Sequence, residues 1–192
     1  MGRMTSQDPT VLPPGLPVPL DDGAADHLPG QPLPALALPS TAGEPVDLAA
    51  TAAGTLVLFC YPRTGRPGEA PPPGWDEIPG ARGCTPQACA FRDHHHELAG
   101  LGATVFGLSA QPREEQLEAA ARLGLPYPLL SDPDLHLAAA LRLPTFEAGG
   151  MRLYRRLTLI ARAGRIAQVF YPVFPPDRNA AEVAAWLRRH PA

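Results

Sequence analysis

Residues 55–61, Thr-Leu-Val-Leu-Phe-Cys-Tyr, form a continuous apolar run of strand length that Pro62 closes. A strand with one wet face alternates apolar and polar positions, so a run without polar gaps suits a central strand buried on both faces. Such a strand needs cover above and below it, which makes the class α/β.

The downstream sequence supplies that cover in alternation. Pro86 is expected to open a helix running towards Gly100, followed by a strand over Ala103 to Ser109. Pro112 opens a second helix that Gly124 stops. Leu129 and Leu130 suggest a short strand, and Ser131-Asp132-Pro133 caps a short helix to about Leu141. Leu157 to Ala161 and Ile166 to Tyr171 read as a hairpin around Ala163-Gly164-Arg165. Asn179 with Glu182 three residues on has the pattern of a capping box opening the last helix. Leu36 to Leu38 and Val46 to Leu48 flank Ser40-Thr41-Ala42-Gly43 as an N-terminal β-hairpin. The expectation is a central sheet with helices on both faces.

Two stretches depart from that pattern. Residues 1–26 carry Arg3 against Asp8, Asp21, Asp22 and Asp26, the whole of the chain's net charge of −3. Their Pro-Pro-Gly and Pro-Val-Pro steps favour extended chain, so this segment reads as a flexible, acidic, proline-rich tail before a domain at 27–192. Residues 63–83, with Pro71-Pro72-Pro73-Gly74 at their middle, read as a loop too long to be a mere connection.

Charge and composition exclude several classes. The 16 cations are all arginine, but a net charge of −3 provides no basic surface for nucleic acid. No apolar run reaches the length of a membrane span, and the N-terminus lacks the apolar stretch of a signal peptide. Three cysteines are too few, and odd in number, for a secreted disulfide scaffold. The expected location is the cytoplasm.

Cys84 falls at a loop-to-helix junction, before Thr85 and Pro86, which suit the N-cap and first helical position. Unpaired N–H groups and the helix dipole favour a thiolate there, and the thiolate is the nucleophile. A small residue packed at a helix end is the alternative. Cys89 lies five residues on. In an intact helix that spacing separates the Cα atoms by about 8.6 Å, beyond the roughly 7 Å limit of a disulfide. A bridge would therefore require the first turn to unwind. Cys60, inside the apolar run, is expected to be a packed, inert thiol.

Phe59-Cys60-Tyr61-Pro62, then Gly83-Cys84-Thr85-x-x-Ala88-Cys89-x-x-Arg92-Asp93, resemble the peroxiredoxins, specifically the PrxQ or bacterioferritin comigratory protein type. Val105 to Ser109, Arg156 to Ile160 and Gly164-Arg165-Ile166 fit the same pattern, and the resemblance covers about residues 30–190. It implies a thioredoxin-like fold with a central mixed sheet. It also implies a thiol peroxidase that reduces hydrogen peroxide and organic hydroperoxides. Cys84 matches the peroxidatic cysteine, Cys89 the resolving cysteine, Arg156 the arginine that polarises the peroxide, and Pro62 the proline that shields the site. Thioredoxin or a similar dithiol would reduce the disulfide, with no metal, flavin or haem, in a monomer or homodimer. Two other readings use the same fold: a thiol–disulfide oxidoreductase, and a redox-sensing binding module with weak peroxidase turnover.

The sequence departs from the family's Pro-x-x-x-Thr-x-x-Cys at Ala81, three residues before Cys84. Either 63–83 is an insertion that leaves Pro62 and Thr64 within reach of the site, or Pro79-Gly80-Ala81 rebuilds its wall locally. His94-His95-His96 project about 100° apart on a helix and cannot converge on one metal ion. Of the three, His95 is expected to turn inward. Arg92 could serve the site or a structural ion pair. Arg155 and Arg156 alternate along a strand, so only one can face Cys84.

Overall fold

A computed structural model of the chain describes residues 9–192. Two short strands, β1 (Ala37–Leu38) and β2 (Val46–Asp47), form the expected antiparallel hairpin and lead into a single helical turn, α1 (Leu48–Thr51). Then come β3 (Thr55–Cys60), α2 (Cys84–Asp93), α3 (His95–Gly100), β4 (Ala103–Ser109), α4 (Arg113–Leu123) and β5 (Leu129–Ser131). The second half holds α5 (His136–Leu141), β6 (Thr145–Ala148), β7 (Met151–Tyr154), β8 (Leu157–Arg162), β9 (Arg165–Phe170) and α6 (Asn179–Arg189).

The central sheet is mixed, in the order β5-β4-β3-β8-β9. β3, β4 and β5 run parallel, while β8 is antiparallel to β3 and β9 to β8. The apolar run is the middle strand, with all six residues buried. Its alternate residues feed two separate cores. Leu56, Leu58 and Cys60 meet α1 and α5 on one face, whereas Val57, Phe59 and Tyr61 meet α2, α3, α4 and α6 on the other. Cys60 is fully buried, and burial pushes its thiol far above the usual range.

Several boundaries differ from expectation. The helix expected from Pro86 to Gly100 begins two residues earlier, at Cys84, and is broken at His94. His94 bonds through its ring Nδ1 to the Ala90 carbonyl, 2.9 Å away, and forms the joint between α2 and α3. Asn179 is the first residue of α6, not its cap, and its side chain turns into the protein. The hairpin β6–β7, turning at Gly149-Gly150, went unread in the sequence.

Loop 63–83 brings a small core of its own. Trp75, at the start of the short 3-10 turn Trp75–Glu77, packs with Ala81, Ala148 and Leu153 and so joins the loop to β6–β7. Residues 1–8 lie outside the described residues. Within residues 9–26 of the segment read as a flexible tail, Val11, Val18 and Leu20 are exposed, while a few residues meet the body. Asp22 accepts a hydrogen bond from the Tyr171 hydroxyl at 2.9 Å, and Ala25 is buried in the first core beside Leu28, which already belongs to the expected domain. Extended, proline-rich backbone forbids a helix, but it does not prevent side chains from packing along the body.

Asp132 pins α5, as the sequence suggests. Its two carboxylate oxygens accept from the His136 and Leu137 amides at 2.9 Å each, and Oδ2 also accepts from the Tyr154 hydroxyl. Asp132→Ala strands those donors in a buried site, where each unmet group costs about 1–3 kcal/mol. Chemical denaturation is expected to show a loss of roughly 3 kcal/mol or more.

Candidate active site

Cys84 is the first residue of α2 and only 3% exposed. Gly83 precedes it as N-cap with a left-handed φ of 108°. A Cβ at Gly83 would stand 2.4 Å from Pro176 Cγ and 2.8 Å from Leu12 Cδ2. Glycine is therefore required both by conformation and by space. Thr85 and Pro86 follow inside the first turn instead of capping it.

One guanidinium organises the sulfur. Arg156 lies just before β8 and is 3% exposed. Its Nη2 donates to Cys84 Sγ at 3.1 Å, to the Ala81 carbonyl at 3.1 Å and to the Arg82 carbonyl at 3.3 Å. Its Nη1 donates to Gln87 Oε1. The sulfur lies 3.7 Å from the Ala81 carbonyl, to which a protonated thiol can donate. A buried cation on one side and a helix N-terminus on the other are the surroundings that stabilise a thiolate.

Cys84 is one of the residues that line a cavity of about 490 Å³. Loop 63–83 makes most of its wall, including Arg63, Pro71, Pro72 and Trp75, and Thr85 lines it beside Cys84. Pro62 and Thr64 do not line this cavity. Pro62 is buried, and the Thr64 hydroxyl donates to Gln111 Oε1 at 3.1 Å, facing a separate polar cleft with Glu115 and Glu118. Thr64, which one of the two alternatives leaves within reach of the site, is held by Gln111, whose Oε1 also accepts from the Thr64 amide. At Ala81 the methyl group packs into the loop's own core, and the backbone carbonyl faces Arg156 and the sulfur. Pro79, Gly80 and Ala81 do not line the cavity either; its loop wall comes from residues 63–76 with Arg82 and Gly83.

Cys89 is half-buried in the second turn of the same helix. Cys84 and Cys89 are both thiols on intact α2, so the structure is the wound form, from which a bridge requires opening of the first turn. Arg156, not Arg155, faces Cys84; Arg155 lies with its guanidinium 5.7 Å from the centre of the Phe146 ring. Arg92 donates to Asp93 and to the Leu123 carbonyl, both at 2.9 Å, and ties α2 to the end of α4. His95 turns partly inward, its ring 6.0 Å from that of Tyr127. Gln87 and Asn179, which complete the surroundings of Arg156, were not singled out from the sequence as site residues.

The model of the redoxin family matches residues 28–186. Peroxiredoxin Bcp of Bacillus subtilis (strain 168) is 30% identical over 155 residues, 79% of this chain and 89% of that protein. The chloroplastic peroxiredoxin Q of Arabidopsis thaliana is 29% identical over 159 residues, 83% of this chain. The match spans 66% of the Arabidopsis protein, just under two thirds of its length. Among solved structures, peroxidoxin BcpB from Mycobacterium tuberculosis superposes with a TM-score of 0.70 at 28% identity, covering 86% of this chain and all of that one. Peroxiredoxin Q of Xanthomonas campestris, 22% identical with a TM-score of 0.66, shares the fold.

Proposed function

Because the chain belongs to the redoxin family, as a peroxiredoxin of the Q/Bcp type, we propose that it is a thiol peroxidase in which Cys84 attacks the peroxide. The observation that carries this reading is the buried Arg156 guanidinium 3.1 Å from the sulfur of a cysteine that stands at a helix start and lines an open cavity.

The Cys84 thiolate attacks the terminal oxygen of a hydroperoxide in line with the O–O bond. That bond breaks, the sulfur is oxidised to a sulfenic acid, and the leaving oxygen takes a proton to depart as water or an alcohol. Arg156 donates to the sulfur from the buried side, so it can stabilise the thiolate and the charge that develops as the O–O bond breaks. The Ala81 carbonyl accepts from Arg156 and helps to fix the plane of the guanidinium. Cys89 then condenses with the sulfenic acid, releasing water and leaving a Cys84–Cys89 disulfide. An external dithiol, thioredoxin or a similar protein, returns both thiols by exchange. Hydrogen peroxide and small organic hydroperoxides are the expected substrates. Neither Pro62 nor Thr64 lines the cavity beside Cys84, so this reading gives neither of them a contact with the peroxide.

Intact mass after one equivalent of hydrogen peroxide tests the assignment. Reduced wild type is expected to lose about 2 Da as one disulfide forms, and Cys89→Ser to gain about 16 Da or dimerise. Cys84→Ser should stay unmodified over the same minutes. A wild type that stays unmodified would reduce the resemblance to one of fold alone.

A further inference from the structure

The buried polar groups behind Arg156 form a chain with a direction. Thr158 on β8 lies two residues beyond Arg156 and points to the same side. Its hydroxyl donates to Asn179 Oδ1 at 2.7 Å. Gln87 Nε2 donates to the same oxygen at 3.0 Å, and Gln87 Oε1 accepts from Arg156 Nη1. Thr158, Asn179 and Gln87 are all fully buried.

A guanidinium has donors only, which settles the orientation of every amide here. Gln87 must turn its oxygen to Arg156, so its NH₂ points away and needs an acceptor. Asn179 provides one by turning its own oxygen inward, and its Nδ2 is left buried without a partner. Reversing Asn179 would set NH₂ against NH₂. Gln87 could relieve that only by reversing too, which would press an NH₂ on the guanidinium. A buried amide nitrogen without a bond is rare in folded proteins; here it is the consequence of aiming one oxygen at two donors.

We propose that Asn179 is a positioning residue for the peroxidase reaction: by fixing the orientation of the Gln87 amide, it holds the Arg156 guanidinium against Cys84. The proposal rests on the thiol-peroxidase reading. It also explains why Asn179 does not cap α6. Its oxygen is taken by Gln87 and Thr158, and no side chain caps that helix.

The test follows the pH dependence of Cys84 alkylation and of peroxide consumption in wild type, Asn179→Leu, Gln87→Met and the double variant. Asn179→Leu is expected to raise the alkylation midpoint by about half a pH unit to one unit, and to slow peroxide consumption at pH 7 by roughly three- to tenfold. Its rate should approach that of wild type above the new midpoint, which a damaged fold would not allow. The double variant should be no worse than Gln87→Met, because Asn179 acts through Gln87. An unchanged midpoint, an equal loss at every pH, or fully additive effects would overturn the proposal. Should leucine prevent folding, Asn179→Ser, too short to reach both donors, carries the same expectation. If wild-type Cys84 alkylates readily but ignores peroxide, the functional reading fails, while the midpoint shift still decides the role of Asn179.

Discussion

Arg156→Met is expected to lower the second-order rate constant with hydrogen peroxide by about 10²–10³-fold, the range seen when one preorganised donor to a developing charge is removed. That corresponds to about 3–4 kcal/mol of transition-state stabilisation. Methionine keeps an unbranched side chain, shorter than arginine's, and supplies no donor to the sulfur, to Gln87 or to the Ala81 carbonyl. Stopped-flow mixing of reduced protein with peroxide measures the constant directly. Arg155→Met is the internal control, since its guanidinium lies over Phe146 and meets none of these groups. It should change the rate by less than about twofold, because the loss of one half-buried cation–π contact is worth about 0.5–2 kcal/mol of stability and touches no reacting atom. Equal losses in the two variants would show that general charge, not placement at the sulfur, governs the reaction.

Gly83→Ala should damage both folding and chemistry. An L-residue held at φ 108° is strained by roughly 1–2 kcal/mol. The new methyl group also meets Pro176 and Leu12 well inside contact distance, an overpacking that typically costs about 1–3 kcal/mol. The expected destabilisation is therefore about 2–5 kcal/mol in a denaturant titration. Relief requires the turn Pro176–Arg178 or the start of α2 to shift, and Cys84 is the next residue along. The peroxide rate at full folding should fall with stability. Wild-type stability in this variant would show that the close approach of Pro176 is not a fixed feature of the molecule.

The parts of the molecule that the sequence announced are those where one local force dominates. β3 is buried on both faces, so its pattern is uniformly apolar and hard to mistake. Asp132 was legible as a cap because its acceptors serve amides four and five residues away. The β6–β7 hairpin was missed although Gly149-Gly150, with φ of 56° and 74°, is a proper signal for a tight turn. Its strands are only partly buried, and without clean alternation the glycines alone did not stand out. Asn179 fits a helix cap in sequence, but two buried donors from other elements compete for its oxygen and win. Thr64 failed for a related reason: nearness to Pro62 in sequence cannot reveal that Gln111, 47 residues away, takes both its amide and its hydroxyl. The choice of Arg156 over Arg155 depends on how the chain enters β8, which alternation narrows to two cases and only packing resolves.

Residues 9–22 lie before the start of the redoxin match, yet Leu12 closes over Gly83 and Pro19 packs beside Gly80, at the turn that precedes Cys84. A segment that touches the start of α2 in its wound form is thermodynamically linked to the winding itself. Whatever free energy docking of that segment lends to the wound helix, the wound helix returns to the docked segment, because such coupling is reciprocal. On the proposed mechanism, in which a Cys84–Cys89 bridge opens that turn, the oxidation state of the two sulfurs and the placement of the proline-rich segment are two readings of one equilibrium.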